Sequence, residues 1–432
     1  MRIRLYPPEK LRTEAQIPAS KSISNRALII QALAGRNAAE EQPEVKNLSD
    51  CDDTQVMTRA LNQMPHTIDI MAAGTAMRFL TAYLSITAGT HIITGTERMR
   101  HRPIGILVDA LRELGAQIEY AEETGFPPLR ITGQELKGGS LSLSGSVSSQ
   151  YISALLMIAP MMEQGLTLTL TGDIVSRPYI DMTLTIMATF GAKAQWRDER
   201  TLRVEPEKYK PTPYTIENDW SASSYWYEMV ALTQDPEPKV TLQRLFRKST
   251  QGDSAIQDIF SHLGVHTHFF TNEEGVECIE LTRQGCPCKH LDYDFVRQPD
   301  LAQTVVVTCV MMGITFRFTG LQSLKIKETD RLTALCTELR KLGYVLKEQD
   351  GNTLLWEGER CTPEKRPIID TYEDHRMAMS MAPACMKTGM IEMNDPHVVS
   401  KSYPRFWEEL TGFRIEKEQE GGYKRSFTCW QP

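Results

Sequence analysis

One phrase recurs four times in this 432-residue chain and limits what it can fold into. It reads "LVDALRELGAQIEY", "LTIMATFGAKAQW", "IQDIFSHLGVHTHF" and "LCTELRKLGYVLKE": an amphipathic helix, a glycine, then an alternating strand. Glycine is the expected helix stop, because its φ turns positive without a Cβ clash. Gly115, Gly191, Gly264 and Gly343 are spaced 76, 73 and 79 residues apart. A second series lies between them: "SKSISNRALIIQALAG", "AGTAMRFLTAYLSITAG", "SSQYISALLMIAPMM", "WSASSYWYEMVAL", "PDLAQTVVVTCVMMG" and "DHRMAMSMAPACMKTG". With Ser22, Thr75, Ser149, Ser221, Asp300 and Asp374 as markers, its intervals are 53, 74, 72, 79 and 74. These helices open polar and continue apolar all round, so they must be buried, whereas the amphipathic ones cover an outer face. The chain therefore reads as about six strand–helix–strand–helix–strand units of near 74 residues, the first one shorter. That is an α/β (α+β) architecture. Two interleaved series are harder to obtain by chance than one. The segment "YKPTPYTIEND" at 209–219 is the candidate linker, dividing the units three and three.

The length suits two or three domains. A net charge of −7 argues against a nucleic-acid partner but not against a small anionic ligand, since local cations can dominate a cleft. The opening "MRIRLYPPEKL" has no apolar signal region, and no run reaches the ~18 apolar residues of a membrane span. Nine cysteines without a regular framework suit a reduced, cytoplasmic setting. The densest group, Cys278, Cys286, Cys288 and His290, lacks the two-residue gap of common zinc knuckles, so no metal and no cofactor are expected. His266 and His268 alternate like one face of a strand and read as surface or packed residues rather than ligands.

The chemistry gathers at helix starts. The apolar series carries Lys21, Ser22 and Arg26; Ser148, Ser149 and Gln150; Asp300; and Asp374, His375 and Arg376. The amphipathic series carries Arg102 in "HRPIG", Ser176, Arg177 and Tyr179 in "SRPYI", and Lys327, Glu328 and Arg331 in "KIKETDRL". Structural readings exist for each. Ser24, Ser148, Ser149, Asp300 and Asp374 suit N-caps, and the prolines suit N1 positions. Lys327 and Arg331, four apart, share a helix face that suits solvent, and Glu328 and Arg331 suit an i,i+3 pair. Taken together, the cations are out of place at positive dipole ends unless an anion joins them. Arg26, Arg102, Arg331, Arg376, Lys21, Lys327 and Lys401 suit a phosphate and carboxylates, with Asp300 and Glu328 available for proton transfer. Walker, dinucleotide, zinc-protease and serine-hydrolase signatures are absent.

"PASKSISNRAL", "AGTAMRFL", "RPIGILVDALRELGA", "GSVSSQYISALLM", "KETDRLTALCTELRKLG", "DHRMAM" and "SKSYPRFWEEL" together resemble, in order, the signatures of the 5-enolpyruvylshikimate-3-phosphate synthase family over residues 18–410. The resemblance implies two domains, each of three β-α-β-α-β-β units around a pseudo-threefold axis, the enolpyruvyl transferase inside-out barrel. Residues 1–18 would join 219–432, residues 19–218 would form the other domain, and the active site would lie in the interdomain cleft. It also implies transfer of the enolpyruvyl group of phosphoenolpyruvate to the 5-hydroxyl of shikimate 3-phosphate, through a tetrahedral intermediate. Lys21, Ser22, Arg26, Ser148, Ser149, Gln150, Ser176, Tyr179, Asp300, Ser323 and Lys327 would hold shikimate 3-phosphate. Lys21, Gly74, Arg102, Gln150, Arg331, His375, Arg376 and Lys401 would hold phosphoenolpyruvate. Asp300 would take the hydroxyl proton, Glu328 would serve the methylene carbon, and Lys21 the bridging oxygen. A monomer is expected. The chain departs from the family at Ala72, Phe79, Trp220 and Ser323; Phe79 stands where proline is usual. The alternatives are the sister transferase acting on UDP-N-acetylglucosamine, whose reactive loop cysteine has no counterpart in "RMRHRPI", and a non-catalytic anion-binding relative.

Overall fold

The computed structural model describes residues 1–35 and 43–419, with strand backbone at 422–425. The repeat seen in the sequence becomes a repeat of sheets. Strand Gly139–Ser144 leads into the buried helix Ser149–Ile158 and then strand Leu166–Thr171, parallel to the first. The amphipathic helix Arg177–Thr189 and strands Ala194–Trp196 and Thr201–Val204 follow, the last pairing antiparallel with Leu166–Thr171. The same order recurs around the parallel pair Thr67–Asp69 and Gly89–Thr94, and around His290–Asp294 and Thr315–Thr319. Parallel neighbours need a crossover connection, and the apolar helices supply it.

The apolar helices are covered on all sides: every residue of Gly74–Ser85 and of Trp220–Leu232 is buried. Helix Arg331–Lys341 instead buries Leu332, Leu335 and Leu339, at the spacing of one helix face. The four stop glycines have φ of +105°, +87°, +82° and +94°, the conformation for which glycine is needed.

Two units result, Met1–Pro18 with Asn218–Pro432, and Ala19–Glu217, each with its own apolar core. Strand pairing explains the boundaries. Arg12–Ala15 pairs in parallel with Lys239–Gln243, supplying the strand that helix Trp220–Leu232 would otherwise lack in front of it. Tyr214–Thr215 does the same for Val45–Lys46, the strand after helix Lys21–Gly35. Arg2–Tyr6 completes the last sheet against Ile391–Asn394. The segment at 209–219 holds the boundary between the units, at Glu217 and Asn218, as expected, but it is no free linker. It contributes a strand, and the buried Tyr209 hydroxyl donates to the Met157 carbonyl at 2.8 Å. Among the described residues the first unit of the chain keeps only a two-stranded sheet, in keeping with its short interval. His266 and His268 are exposed on strand Val265–Thr271, as expected. Cys429 lies outside the described residues. No helix among the described residues is long and apolar enough to cross a membrane.

Candidate active site

The singled-out residues fall into two groups, one in each unit. In the unit Ala19–Glu217 helix Lys21–Gly35 starts after Ser20, whose Oγ accepts from the Ile23 amide at 3.4 Å. Ser20 is thus the cap. Ser24 lies inside the helix, where its Oγ accepts from the Ser49 amide at 3.1 Å, so the capping expectation for Ser24 fails. Lys21 stands at the first helical position with Nζ 3.6 Å from Asp53 Oδ2, a carboxylate in the first turn of helix Asp52–Gln63. Sequence reasoning missed Asp53, which looks like an ordinary acidic helix start.

Arg26 is 2% exposed and makes no ion pair with any described residue. Its Nε donates to Thr183 Oγ1 at 2.7 Å, Nη1 to the Ser22 carbonyl at 2.8 Å and Nη2 to Ser153 Oγ at 3.0 Å. Burial pushes its pKa down to about 10, against the opposing influence of Tyr179. Ser148 caps helix Ser149–Ile158, its Oγ accepting from the Gln150 amide, and Gln150 Nε2 donates to Thr75 Oγ1 at 3.2 Å. Ser176 precedes helix Arg177–Thr189 with φ +57° and makes no side-chain cap. Arg102 is half-buried beside Gly74, where an added Cβ would meet its Nη1 at 2.7 Å. Pro103 lies ahead of helix Gly105–Glu113 and Pro178 is the second residue of Arg177–Thr189, so neither proline takes the first helical position expected for it.

In the other unit, Arg331 organises a lattice of opposite charges. It is 1% exposed, and its Nε and Nη2 donate to Asp374 Oδ2 and Oδ1 at 2.7 and 3.2 Å. Its Nη1 reaches Asp300 Oδ1 at 3.1 Å and its Nη2 reaches Glu328 Oε2 at 3.0 Å. Arg376 Nη2 donates to Asp300 Oδ2 at 3.1 Å, Lys327 Nζ lies 3.4 Å from Asp300 Oδ1, and Lys401 Nζ donates to Glu328 Oε1 at 2.5 Å. Helix Arg331–Lys341 is capped by Asp330, so Lys327 and Glu328 lie in the segment before it and the shared helix face does not exist. Nor does Asp300 cap a helix: its carboxylate turns to the arginines. Asp374 is both cap and ion partner, accepting from the Arg376 amide at 2.9 Å. His375 is buried, with Nδ1 3.9 Å from Asp374 Oδ1. Ser323 Oγ is buried without a hydrogen-bond partner among the described residues.

The electrostatics follow from these contacts. Burial works to raise the Asp300 carboxyl, but Arg376, Lys327 and Arg331 outweigh it and hold it well below the usual range. Glu328 is likewise raised by burial and lowered further by Lys401, Arg331 and His375, ending well below. Asp253, which the sequence did not single out, is pushed up to about 7 by burial and by Asp300, against Arg376 and a hydrogen bond from Ser221. The lattice thus holds Asp300 and Glu328 as anions among four cations, Lys327, Arg331, Arg376 and Lys401.

The EPSP synthase (3-phosphoshikimate 1-carboxyvinyltransferase) family model matches residues 5–69 and 65–410. A 3-phosphoshikimate 1-carboxyvinyltransferase of Bacteroides fragilis is 56% identical over 422 residues, covering 97% of this chain and 100% of its own. One from Vibrio cholerae is 35% identical over 437 residues, covering 94% and 98%. The EPSP synthase structure from Acinetobacter baumannii superposes with a TM-score of 0.77 at 21% identity, over 96% of this chain and 100% of that one, and so shares the fold. Seven ordered motifs, the six-sheet repeat and these matches agree, and the chain belongs to the EPSP synthase family.

Proposed function

We propose the following division of labour for the reaction of this chain, transfer of the 1-carboxyvinyl group of phosphoenolpyruvate to the 5-hydroxyl of shikimate 3-phosphate with release of phosphate. Both residue groups serve that one reaction. Lys21, Ser22, Arg26, Ser148, Ser149, Gln150, Ser176, Tyr179, Ser323 and Lys327 hold shikimate 3-phosphate. Arg26, a buried guanidinium with no ion pair among the described residues, and Ser323, a buried hydroxyl with no partner among them, support this reading. Gly74, Arg102, Arg331, His375, Arg376 and Lys401 hold phosphoenolpyruvate, with Lys21 and Gln150 reaching both substrates. The enzyme works as a cytoplasmic monomer.

Asp300 accepts the proton of the 5-hydroxyl as that oxygen attacks C2 of phosphoenolpyruvate, while Glu328 gives a proton to C3. Elimination reverses the second transfer: Glu328 takes a proton back from the methyl group, the C2–O bond to phosphate breaks, and Lys21 protonates the departing oxygen. The carrying observation is that Asp300 and Glu328 are held as anions by Lys327, Arg331, Arg376 and Lys401. These are the cations assigned to the substrates' phosphate and carboxylate groups. Binding those groups offsets the positive field at both carboxylates, so both gain proton affinity when catalysis requires it. A carboxylate held ionised in the free enzyme becomes a competent acid only with substrate bound.

The test is phosphate release from phosphoenolpyruvate with shikimate 3-phosphate, run beside UDP-N-acetylglucosamine. Release with shikimate 3-phosphate alone is expected. Release with only the sugar nucleotide, or binding of phosphoenolpyruvate without release under either condition, would overturn the reading.

A further inference from the structure

Arg26 is held in an unusual way for a buried cation. Four helices converge on it, and none offers a carboxylate. Its own helix supplies the Ser22 carbonyl, Ser149–Ile158 supplies Ser153 Oγ, and Arg177–Thr189 supplies Thr183 Oγ1 and the Tyr179 carbonyl, the last at 3.5 Å. The fourth, Gly74–Ser85, supplies no polar atom but a ring: Arg26 Cζ lies 5.3 Å from the centroid of Phe79, a residue 0% exposed. The Tyr179 ring lies at 6.0 Å. Ser153 and Thr183 also hydrogen-bond each other at 2.9 Å, which fixes both acceptors.

We propose that Phe79 is a positioning residue for shikimate 3-phosphate, its ring face holding the Arg26 guanidinium in place with its charge unspent. The inference rests on the assignment of Arg26 to that substrate. A buried guanidinium needs compensation, because leaving it bare costs several kcal/mol. A carboxylate would compensate it fully, and would then compete with any incoming anion. Hydroxyls, a carbonyl and an aromatic face compensate in part: they accept the N–H groups and attract the cation without neutralising it. The guanidinium stays a full positive charge of fixed orientation, ready for a phosphate or carboxylate. Proline, usual at this position in the family, has no face to offer. In this chain the ring therefore takes part in binding without touching the substrate.

Fluorination separates this role from packing, because it drains the negative face of the ring with little change of shape. Phenylalanine at position 79 is replaced site-specifically by its mono-, di- and trifluoro analogues, and the Kd of shikimate 3-phosphate is read by calorimetry. Stepwise weakening is expected, reaching about tenfold for the trifluoro ring, the order that a desolvated cation–π contact supports. The KM for phosphoenolpyruvate should stay close to that of the unfluorinated enzyme, while the thermal midpoint falls in step as compensation of the buried guanidinium weakens. Phe79→Leu should weaken shikimate 3-phosphate binding at least as much. A flat fluorine series with intact binding in the unsubstituted enzyme overturns the inference, as does a parallel rise in both KM values. Failure of the unsubstituted enzyme to bind shikimate 3-phosphate overturns instead the assignment on which it rests.

Discussion

A single added methyl group tests the phosphoenolpyruvate assignment with little ambiguity. Gly74 begins helix Gly74–Ser85 with its Cα turned toward two guanidinium groups. A Cβ there would stand 2.7 Å from Arg102 Nη1, 2.8 Å from Arg78 Nη1 and 3.3 Å from Arg102 Cζ. Non-bonded carbon and nitrogen settle at about 3.5 Å or beyond, so each tip must retreat by roughly 1 Å. Arg78 has little freedom, being 5% exposed with Nη1 donating to the Gly74 carbonyl at 2.8 Å. Arg102 is half-buried and takes most of the movement. A charge-assisted hydrogen bond contributes about 1.5–3 kcal/mol, so losing one at Arg102 corresponds to roughly 10- to 100-fold in affinity. Gly74→Ala is therefore expected to raise the KM for phosphoenolpyruvate by at least about tenfold. The KM for shikimate 3-phosphate should move less than about twofold, because Arg26 and the hydroxyl groups assigned to it are untouched. Steady-state phosphate release at varied concentrations of each substrate gives both constants. An unchanged KM for phosphoenolpyruvate, or an equal rise in both, would refute the placement of Arg102 on that substrate.

Glu328→Gln keeps the shape of a side chain bonded to Arg331 and Lys401 but cannot carry the proton, so turnover should fall by at least about 100-fold while the protein still folds; near-normal phosphate release would remove Glu328 from catalysis. Arg331→Met leaves Asp374, Glu328 and Asp300 without their shared buried cation and should destabilise the protein by about 3–5 kcal/mol, read as a lower denaturant midpoint. Glu228, fully buried with neither carboxylate oxygen bonded to a described residue, is raised well above its usual 4.5 by burial. Its stability contribution is complete below that unfolded-state value and is lost as pH rises toward the folded one, at up to about 1.4 kcal/mol per pH unit. Glu228→Gln should therefore gain on the wild type as pH is raised above 5, and a stability difference independent of pH would contradict it.

The sequence made the repeat legible because a helix that buries every face must be apolar at every face, as in Trp220–Leu232, whatever its neighbours are. Glycine stops are equally local: a positive φ at Gly115 or Gly343 is a property of one residue. Which strand completes which sheet is a different kind of information. Arg12–Ala15 finds its partner 227 residues later at Lys239–Gln243, and no local periodicity encodes that pairing. The same divide runs through the site. Lys21 and Arg26 stood out as cations at the wrong end of a helix, and the structure answers them in opposite ways. Lys21 has a carboxylate nearby in Asp53, whereas Arg26 has, among the described residues, only neutral acceptors and aromatic faces. Motif position could not separate these cases, since both residues belong to one seven-residue stretch, "ASKSISNR" less its first residue. What separates them is burial: a partly exposed ammonium can be shared between a protein carboxylate and a ligand, while a fully buried guanidinium cannot surrender a counter-ion without large cost. The neutral cage around Arg26 thus leaves its charge undivided, whereas Arg331 shares its charge among Asp374, Asp300 and Glu328.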